Sequence, residues 1–246
     1  MAMPFVTENR RDSSGIRKWI VWQMGQKNDM VKVILWDNDG LLVDTEELYF
    51  AATREVLSEV GVDLTLEKFI QVSLTRGQSA LDVAAKQGLS REAIVGLREE
   101  RNRRYANLLR KGVAILDGVK ETLLQLVGKV AMGVVTGSRR EHFRIMHQNS
   151  GLLHYFDHVL TREDYIRPKP DPDPYLTAVK RYGIGREQCL IVEDSERGLA
   201  AARAAGIPCL VVPNRLTQQG TFSGAYGVFR NIREVGDEVL SLLGRP

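Results

Sequence analysis

Short apolar runs alternate with segments of helical character along the chain after residue 30. Each apolar run is four to six residues long, a length typical of a buried strand; the runs cover 31–36, 130–135, 157–160, 189–192 and 209–212. Helical spacing or helix-boundary residues mark the segments between them, at 117–127, after Ser138, at 175–182 and from Ser195 to Gly206. This alternation predicts an α/β fold with a Rossmann-like parallel sheet and right-handed crossovers.

The boundary residues make further local predictions. Ser138 and Ser195 stand where two of the helices begin, so we expect their hydroxyl groups to act as N-caps, and Gly206 should end the second of these helices. Cys189 and Cys209 fall inside predicted strands, where we expect them to be small core residues.

The segment 45–115 interrupts this rhythm because it contains no convincing strand. Its apolar spacing instead predicts amphipathic helices near 46–60, 65–72, 78–87 and 90–110. An insertion at this point leaves the carboxyl end of the first strand, where open parallel sheets bind their ligands. We therefore predict a helical cap domain over residues 45–115, an α/β core domain over 31–44 and 116–246, and an N-terminal extension over 1–30.

The composition places the chain among ordinary globular proteins. Of 246 residues, 43% are hydrophobic and 26% are charged. No apolar run approaches the ~20 residues that a membrane-spanning helix needs, so we expect no membrane partner. Two cysteines are too few for a disulfide framework or a cysteine-rich zinc site, and they suggest a reducing, cytoplasmic setting.

A net charge of +3 is compatible with a polyanionic partner, but the distribution of the charges argues against one. Residues 1–32 carry six basic and three acidic side chains, whereas positions 33–246 carry 28 of each. We therefore expect no nucleic-acid partner. We also expect a monomer or weak dimer. The basic N-terminal extension lacks the apolar stretch of a secretory signal, and it is interpreted as a disordered leader or as sequence upstream of a true start at Met24 or Met30. An amphipathic organellar presequence is disfavoured by its acidic residues.

Polar side chains follow three of the predicted strands. Asp37 and Asp39 come after the first strand, Thr136 after the second, and Glu193 and Asp194 end the fourth. In a parallel sheet these strand ends share one edge, so the carboxylates should converge and raise one another's pKa values. A divalent cation relieves that repulsion, and oxygen ligands favour Mg²⁺.

Each motif taken alone has a simpler interpretation. The Asp-x-Asp-Gly sequence at residues 37–40 could form a turn, although Leu41 and Leu42 do not fit an EF-hand calcium loop. The acidic residues before Ser195 could simply favour a helix N-terminus. The order of the motifs, each at a strand end, argues for a shared site.

Four motifs together resemble those of the haloacid dehalogenase-like hydrolases. The segments are WDNDGLLVDTE at 36–46, VVTGS at 134–138, RPKPDP at 167–172 and IVEDS at 191–195. The resemblance covers about residues 31–245 and is strongest for the helical-cap branch, which includes phosphoglycolate phosphatases and β-phosphoglucomutases. It implies a phosphoric monoester hydrolase that acts on a small phosphorylated metabolite.

The resemblance also implies roles for individual residues. Asp37 would be the nucleophile that forms an aspartyl-phosphate, and Asp39 would be the general acid and then the general base. Thr136 would donate its hydroxyl to the phosphoryl group, and Lys169 would balance the charge of phosphate and nucleophile. Mg²⁺ would be held by the Asp37 carboxylate, the Asp39 carbonyl oxygen and Asp194, with Glu193 nearby.

Substrate contacts are implied at four further positions, which are Arg76, Gly137, Ser138 and Arg139. Dehalogenation is disfavoured because the dehalogenases of this family lack the second aspartate, present here as Asp39. We predict a phosphatase of the sugar-phosphate or phosphoglycolate type. The alternatives are a β-phosphoglucomutase-like phosphomutase, disfavoured because Tyr49 stands where such mutases carry histidine, and a non-catalytic binding protein of the same fold.

Two groups of residues are expected to lie outside the site. We predict that the histidines lie at the surface or at helix ends; they are His142, His147, His154 and His158. The arginine-rich run over 98–111 should be a solvated helix face.

Overall fold

The computed structural model of the protein describes residues 31–244, so the predicted extension over 1–30 lies outside the described residues. A six-stranded parallel sheet has the strand order β5-β4-β1-β6-β7-β8. Its strands are β1 (Val33–Trp36), β4 (Ala131–Val135), β5 (His158–Leu160), β6 (Cys189–Glu193), β7 (Cys209–Val211) and β8 (Gly227–Val228). Two short strands, β2 (Val43–Asp44) and β3 (Ala114–Ile115), form a separate antiparallel pair. The predicted α/β parallel-sheet fold is confirmed.

Nine α-helices lie within the described residues. They are α1 (Glu46–Ser58), α2 (Leu66–Phe69), α3 (Asp82–Lys86), α4 (Arg91–Arg110), α5 (Val119–Leu126), α6 (Arg140–His147), α7 (Asp173–Tyr182), α8 (Glu196–Ala205) and α9 (Ile232–Leu243). A π-helical turn over Ile70–Thr75 continues directly from α2. No helix within residues 31–244 is long and apolar enough to cross a membrane.

The strand register brings the predicted motifs to one edge. In the middle of the sheet, Trp36 at the end of β1 is paired with Val134 of β4 on one side and Val192 of β6 on the other. The polar residues that follow these three strands therefore emerge side by side. This common edge positions the candidate site.

Successive residues of β1 bury opposite faces of the sheet, as the two-residue period of a strand requires. Ile34 and Trp36 pack into the cluster that includes Leu123 of α5 and Val239 of α9. Val33 and Leu35 pack into the cluster on the other face, with residues of α7 and α8. Helices thus cover both faces, which explains why the strand sequences are apolar throughout.

Helices α1 to α4, which we call the helical insertion (residues 46–110), lie between β2 and β3 and build their own apolar cluster. Phe69 and Leu74 belong to this cluster, together with Leu216 from the loop that follows β7. The insertion is therefore packed against a distant segment of the chain. The division into cap and core domains stays a prediction.

Several local predictions can be compared with the structure. Ser195 accepts a hydrogen bond from the Gly198 amide and caps α8, and Gly206 ends that helix in the left-handed conformation, as expected. Cys189 and Cys209 are buried free thiols. The predicted cap at Ser138 is wrong: Arg139 occupies the N-cap position of α6 and makes no side-chain cap, and the Ser138 hydroxyl bonds to a nearby carboxylate instead.

Candidate active site

A buried lysine links two carboxylates at the carboxyl edge of the sheet. Lys169 lies in the loop before α7, is 4% exposed, and its Nζ is 2.6 Å from Asp37 Oδ1 and 2.7 Å from Glu193 Oε1. It also donates to the carbonyl oxygen of Val135, at 2.9 Å. The two carboxylates raise the pKa of Lys169 despite the opposing effect of burial, so the ammonium stays charged.

Glu193 is held by several neighbours at the end of β6. The Tyr175 hydroxyl of α7 donates to Glu193 Oε1 at 2.5 Å, and the backbone amide of Asp194 donates to Oε2 at 3.2 Å. A Cβ atom on Gly198 would overlap the Glu193 carboxyl, so this close approach of α8 requires glycine. Burial opposes ionisation of Glu193, but the ion pair with Lys169 outweighs it and lowers the pKa of this carboxyl.

Asp194 is oriented by the loop after β7. Asn214 in this loop donates from Nδ2 to Asp194 Oδ2 at 2.7 Å and to the Gly40 carbonyl oxygen at 3.1 Å. Gly40 has a φ of +77°, and a Cβ atom there would lie 2.5 Å from Asn214 Nδ2. The Asp-x-Asp-Gly turn therefore needs glycine for both its conformation and this contact.

Asp39 is surrounded by hydroxyl groups. Its Oδ2 accepts from Thr136 Oγ1 at 2.8 Å and from Ser138 Oγ at 2.9 Å, and its Oδ1 accepts from Thr45 Oγ1 at 2.8 Å. The Thr136 oxygen in turn accepts from the Ser138 amide, at 2.9 Å. The first two motifs of the sequence are thus in direct contact.

Three buried carboxylates can hold a metal ion. Ligand oxygens of Asp37, Glu193 and Asp194 all lie within 4.8 Å of one another. Burial, followed by the charges of Glu193 and Asp37, raises the pKa of Asp194 well above its usual range. Burial also raises the pKa of Asp37, against the lowering effect of Lys169. One ammonium does not balance three buried carboxylates, so this donor set fits a divalent cation with hard oxygen preference.

An open cavity of about 120 Å³ adjoins these groups. Its lining residues are Asp37, Asp39, Glu46, Tyr49, Tyr105, Gly137, Ser138, Arg139, His142 and Arg197. Gly137, Arg139 and Lys169 also line a larger cavity of about 920 Å³ that extends to Gly77 and α4. The predicted substrate-binding residues Gly137, Ser138 and Arg139 are therefore brought to the site, whereas Arg76 is exposed and lines neither cavity.

Two arginines at these cavities were not predicted. Arg101 of α4 is 7% exposed and donates from Nη1 to the Tyr49 hydroxyl at 2.5 Å, so the expectation of a solvated face over 98–111 is wrong at this residue. Arg197 of α8 donates to the Ser73 carbonyl oxygen of the insertion at 3.4 Å. Its Nε is buried without a hydrogen-bond partner among the described residues. Arg197 therefore connects the insertion with the candidate site, whereas the hydrogen bond of Arg101 joins α4 and α1 within the insertion.

The histidine prediction is wrong for His142, the third residue of α6, which is 3% exposed. It is confirmed for His147, which ends α6, although this residue is also buried, at 4% exposed. The apolar spacing around Phe143 predicts which face of α6 is buried. It does not indicate that the neighbouring histidines lie on that face. Asn214 and Tyr175 were also missed, because no motif includes them.

The sequence of the chain is similar to those of known proteins. Residues 34–212 match the model of the haloacid dehalogenase-like hydrolase family. The chain is 31% identical over 188 residues to the fructose-1-phosphate phosphatase YqaB of Escherichia coli, which covers 73% of this chain and 95% of that protein. It is 30% identical over 179 residues to a phosphoglycolate phosphatase of Xanthomonas campestris pv. campestris, covering 72% of this chain and 80% of that protein.

The fold comparison agrees. The crystal structure of CbbY from Rhodobacter sphaeroides in complex with phosphate has a TM-score of 0.70 and 25% identity, and covers 84% of this chain and 97% of that chain. The chain therefore belongs to the haloacid dehalogenase-like hydrolase family. Within it, the chain is an enzyme of the phosphoric monoester hydrolase class.

Glu46 makes the stability of the metal-free protein depend on pH. Desolvation, with a further contribution from Asp39, raises its pKa from 4.5 to about 8. The folded state then binds this proton more tightly than the unfolded state, so the free energy of unfolding falls as pH rises towards 8. We expect the melting temperature in EDTA to fall between about pH 6 and about pH 8, and Glu46→Gln to flatten that slope. An equally steep slope in Glu46→Gln would contradict this assignment.

Proposed function

We propose that the protein is a magnesium-dependent phosphatase that hydrolyses a small phosphorylated metabolite, of the sugar-phosphate or phosphoglycolate type, through an aspartyl-phosphate intermediate. The observation that carries the proposal is the ion pair between Asp37 and Lys169 beside two further carboxylates. Ligand oxygens of Asp37, Glu193 and Asp194 lie within 4.8 Å of one another. The similarity to phosphatases of sugar phosphates and phosphoglycolate supports the substrate class.

Asp37 is suited to nucleophilic attack because its second carboxylate oxygen is free of the Lys169 contact. Lys169 Nζ bonds to Oδ1, which leaves Oδ2 available for the phosphorus atom, and Asp37 is part of the cavity lining. The bond from Asp37 to phosphorus forms as the bond from phosphorus to the leaving oxygen breaks. Lys169 balances the charge that accumulates on the phosphoryl oxygens.

Asp39 supplies the proton transfers. It gives a proton to the leaving oxygen in the first step and takes one from the attacking water in the second. Its hydroxyl neighbours Thr136 and Ser138 lie at the same edge of the sheet, where a phosphoryl group bound beside Asp37 would contact them. Gly137 and Arg139 extend this cradle along the cavity wall.

Mg²⁺ would be held by Asp37 and Asp194, with Glu193 nearby and the Asp39 carbonyl oxygen as a further ligand. When bound, it would neutralise phosphoryl charge. Glu193 itself is engaged by Lys169 and Tyr175, so its part is to fix the lysine and the neighbouring ligands.

The proposal is tested by hydrolysis of p-nitrophenyl phosphate, fructose 1-phosphate and phosphoglycolate with and without Mg²⁺. We expect magnesium-dependent release of inorganic phosphate, suppressed by EDTA and restored by added Mg²⁺. Calcium makes a matched control, because its larger coordination shell fits a compact carboxylate site less well. Equal rates with and without Mg²⁺ would contradict the metal requirement. The absence of turnover with all three esters would contradict the proposed phosphatase activity.

A further inference from the structure

A fully buried amide stands between the two aspartates of the first motif. Asn38 is 0% exposed, and its side chain reaches His147, the last residue of α6. Asn38 Oδ1 and His147 Nε2 are 2.7 Å apart, and Asn38 Nδ2 is 3.3 Å from both Asp39 Oδ2 and Met146 Sδ. A buried polar side chain requires partners, and Asn38 finds them on both ends of its amide.

The partners determine which end donates. Met146 sulfur and the Asp39 carboxylate are acceptors, so the amino group of Asn38 must face them and the oxygen must face His147. His147 Nε2 therefore carries the hydrogen, which leaves Nδ1 to accept from the Ser150 hydroxyl at 2.9 Å, a shorter contact than the 3.4 Å from that hydroxyl to the His147 carbonyl oxygen. The Leu152 amide donates to that hydroxyl oxygen, at 3.1 Å. Every hydrogen bond in this chain thus points towards Asp39.

The imidazole is neutral in this environment. Desolvation lowers the pKa of His147 to about 4, so that at neutral pH the ring has one donor and one acceptor nitrogen. His147 is 4% exposed and Ser150 is 8% exposed, so water does not compete for these bonds.

We propose, building on the function proposed above, that Asn38 and His147 are positioning residues that hold the Asp39 carboxyl in place for its proton transfers. Thr45 holds only Oδ1 of Asp39, and the two hydroxyl groups that hold Oδ2, those of Thr136 and Ser138, lie where the phosphoryl group would bind. Thr136 has a single hydrogen, which it gives to Asp39 Oδ2 in this structure and would give to the phosphoryl group of a bound substrate. The Asn38 amide does not face the substrate, so its bond to Asp39 persists when that of Thr136 is lost.

The experiment compares esters that differ in their need for a general acid. Departure of an alkyl oxygen requires the proton from Asp39, whereas p-nitrophenolate leaves with little assistance. The ratio of kcat/KM for an alkyl phosphate to that for p-nitrophenyl phosphate therefore reports on the acid. Fructose 1-phosphate or phosphoglycolate serves as the alkyl ester, whichever the wild type hydrolyses faster.

We expect Asn38→Leu and His147→Leu each to lower kcat/KM for the alkyl phosphate by roughly ten-fold, and that for p-nitrophenyl phosphate by less than about two-fold. His147→Gln keeps a side-chain N–H donor and should restore most of the ratio. The double Leu variant should lose little more than either single variant, because both act through one chain of hydrogen bonds.

Met146→Leu is the matched control. It removes the other contact of the Asn38 amino group, conserves side-chain volume, and leaves the bonds to His147 and Asp39 in place, so the wild-type ratio should persist. Ser150→Ala is a milder variant that disturbs only the far end of the chain, and it should move the ratio in the same direction by a smaller amount. Melting temperatures identify any variant that loses its fold.

A merely structural role predicts a different result. Folded Leu variants that lose activity equally on both esters, or in which His147→Gln is no better than His147→Leu, would overturn the inference while leaving the phosphatase intact. Wild-type protein without turnover of either ester would overturn the proposed function first, so the two failures are distinguishable.

Discussion

Asp37→Asn should abolish phosphatase activity, with a fall in kcat of at least roughly 10⁴-fold on every phosphate ester. An amide oxygen is too weak a nucleophile to form the acyl-phosphate bond, and within residues 31–244 no other carboxylate both contacts Lys169 and lines the cavity. The fold should survive, because burial already opposes the charge of Asp37 and Lys169 keeps its bond to Glu193. Steady-state rates together with melting temperature measure both effects.

The control for this prediction is Asp63→Asn, the same substitution at an exposed position of the helical insertion, which should retain wild-type kcat. Rapid quenching of the wild type followed by mass spectrometry should find a phosphoryl adduct on the peptide that contains Asp37. Residual turnover in Asp37→Asn within a hundred-fold of the wild type, without reversion of the amide, would show that another group attacks phosphorus.

Lys169→Met should remove activity and also destabilise the protein by about 3–5 kcal/mol, since it deletes the cation between two buried carboxylates. Asp37 and Glu193 then take up protons more readily, because the charge that favoured their ionised forms is gone. At pH values above the usual pKa of a carboxyl group, the folded variant therefore binds more protons than the unfolded chain. Its free energy of unfolding should therefore rise as pH falls from about 8 to about 6.

Lys180→Met provides the comparison, because Lys180 is exposed on α7 and its loss should change stability by no more than about 0.5 kcal/mol. Urea denaturation at several pH values measures both variants. If Lys169→Met were as stable as Lys180→Met throughout, the ion pairs of Lys169 would contribute nothing to the fold.

The parallel sheet could be predicted from sequence because its strands are buried on both faces, which gives continuous apolar runs such as that ending at Trp36. Strand β8 and the β2–β3 pair escaped prediction because two-residue strands leave no periodic pattern. Helix α2 was expected to reach residue 72, but it ends at Phe69 in a π-helical turn, a change of hydrogen bonding that side-chain spacing does not reveal.

The convergence of Asp37, Thr136 and Glu193 was predictable because parallel strands end on one edge, where Asp37 and Thr136 follow their strands and Glu193 is the last residue of β6. Lys169 could be assigned only through the family resemblance, since no pattern in its proline-rich loop indicates that it is 4% exposed. Asn214 and His147 contribute through contacts over long sequence separations. Such contacts depend on tertiary packing, and a single sequence does not record them.

The loop after β7 limits how the helical insertion can be exchanged with that of a relative. Leu216 completes the apolar cluster of the helical insertion, while two residues earlier Asn214 holds Asp194. A chimera that exchanged only residues 46–110 with a relative would leave a foreign helical surface against Leu216, and the resulting displacement of the loop would reach the Asp194 carboxylate through Asn214. The transplantable unit is therefore discontinuous: a graft should carry residues 212–220 with the insertion and retain asparagine at position 214.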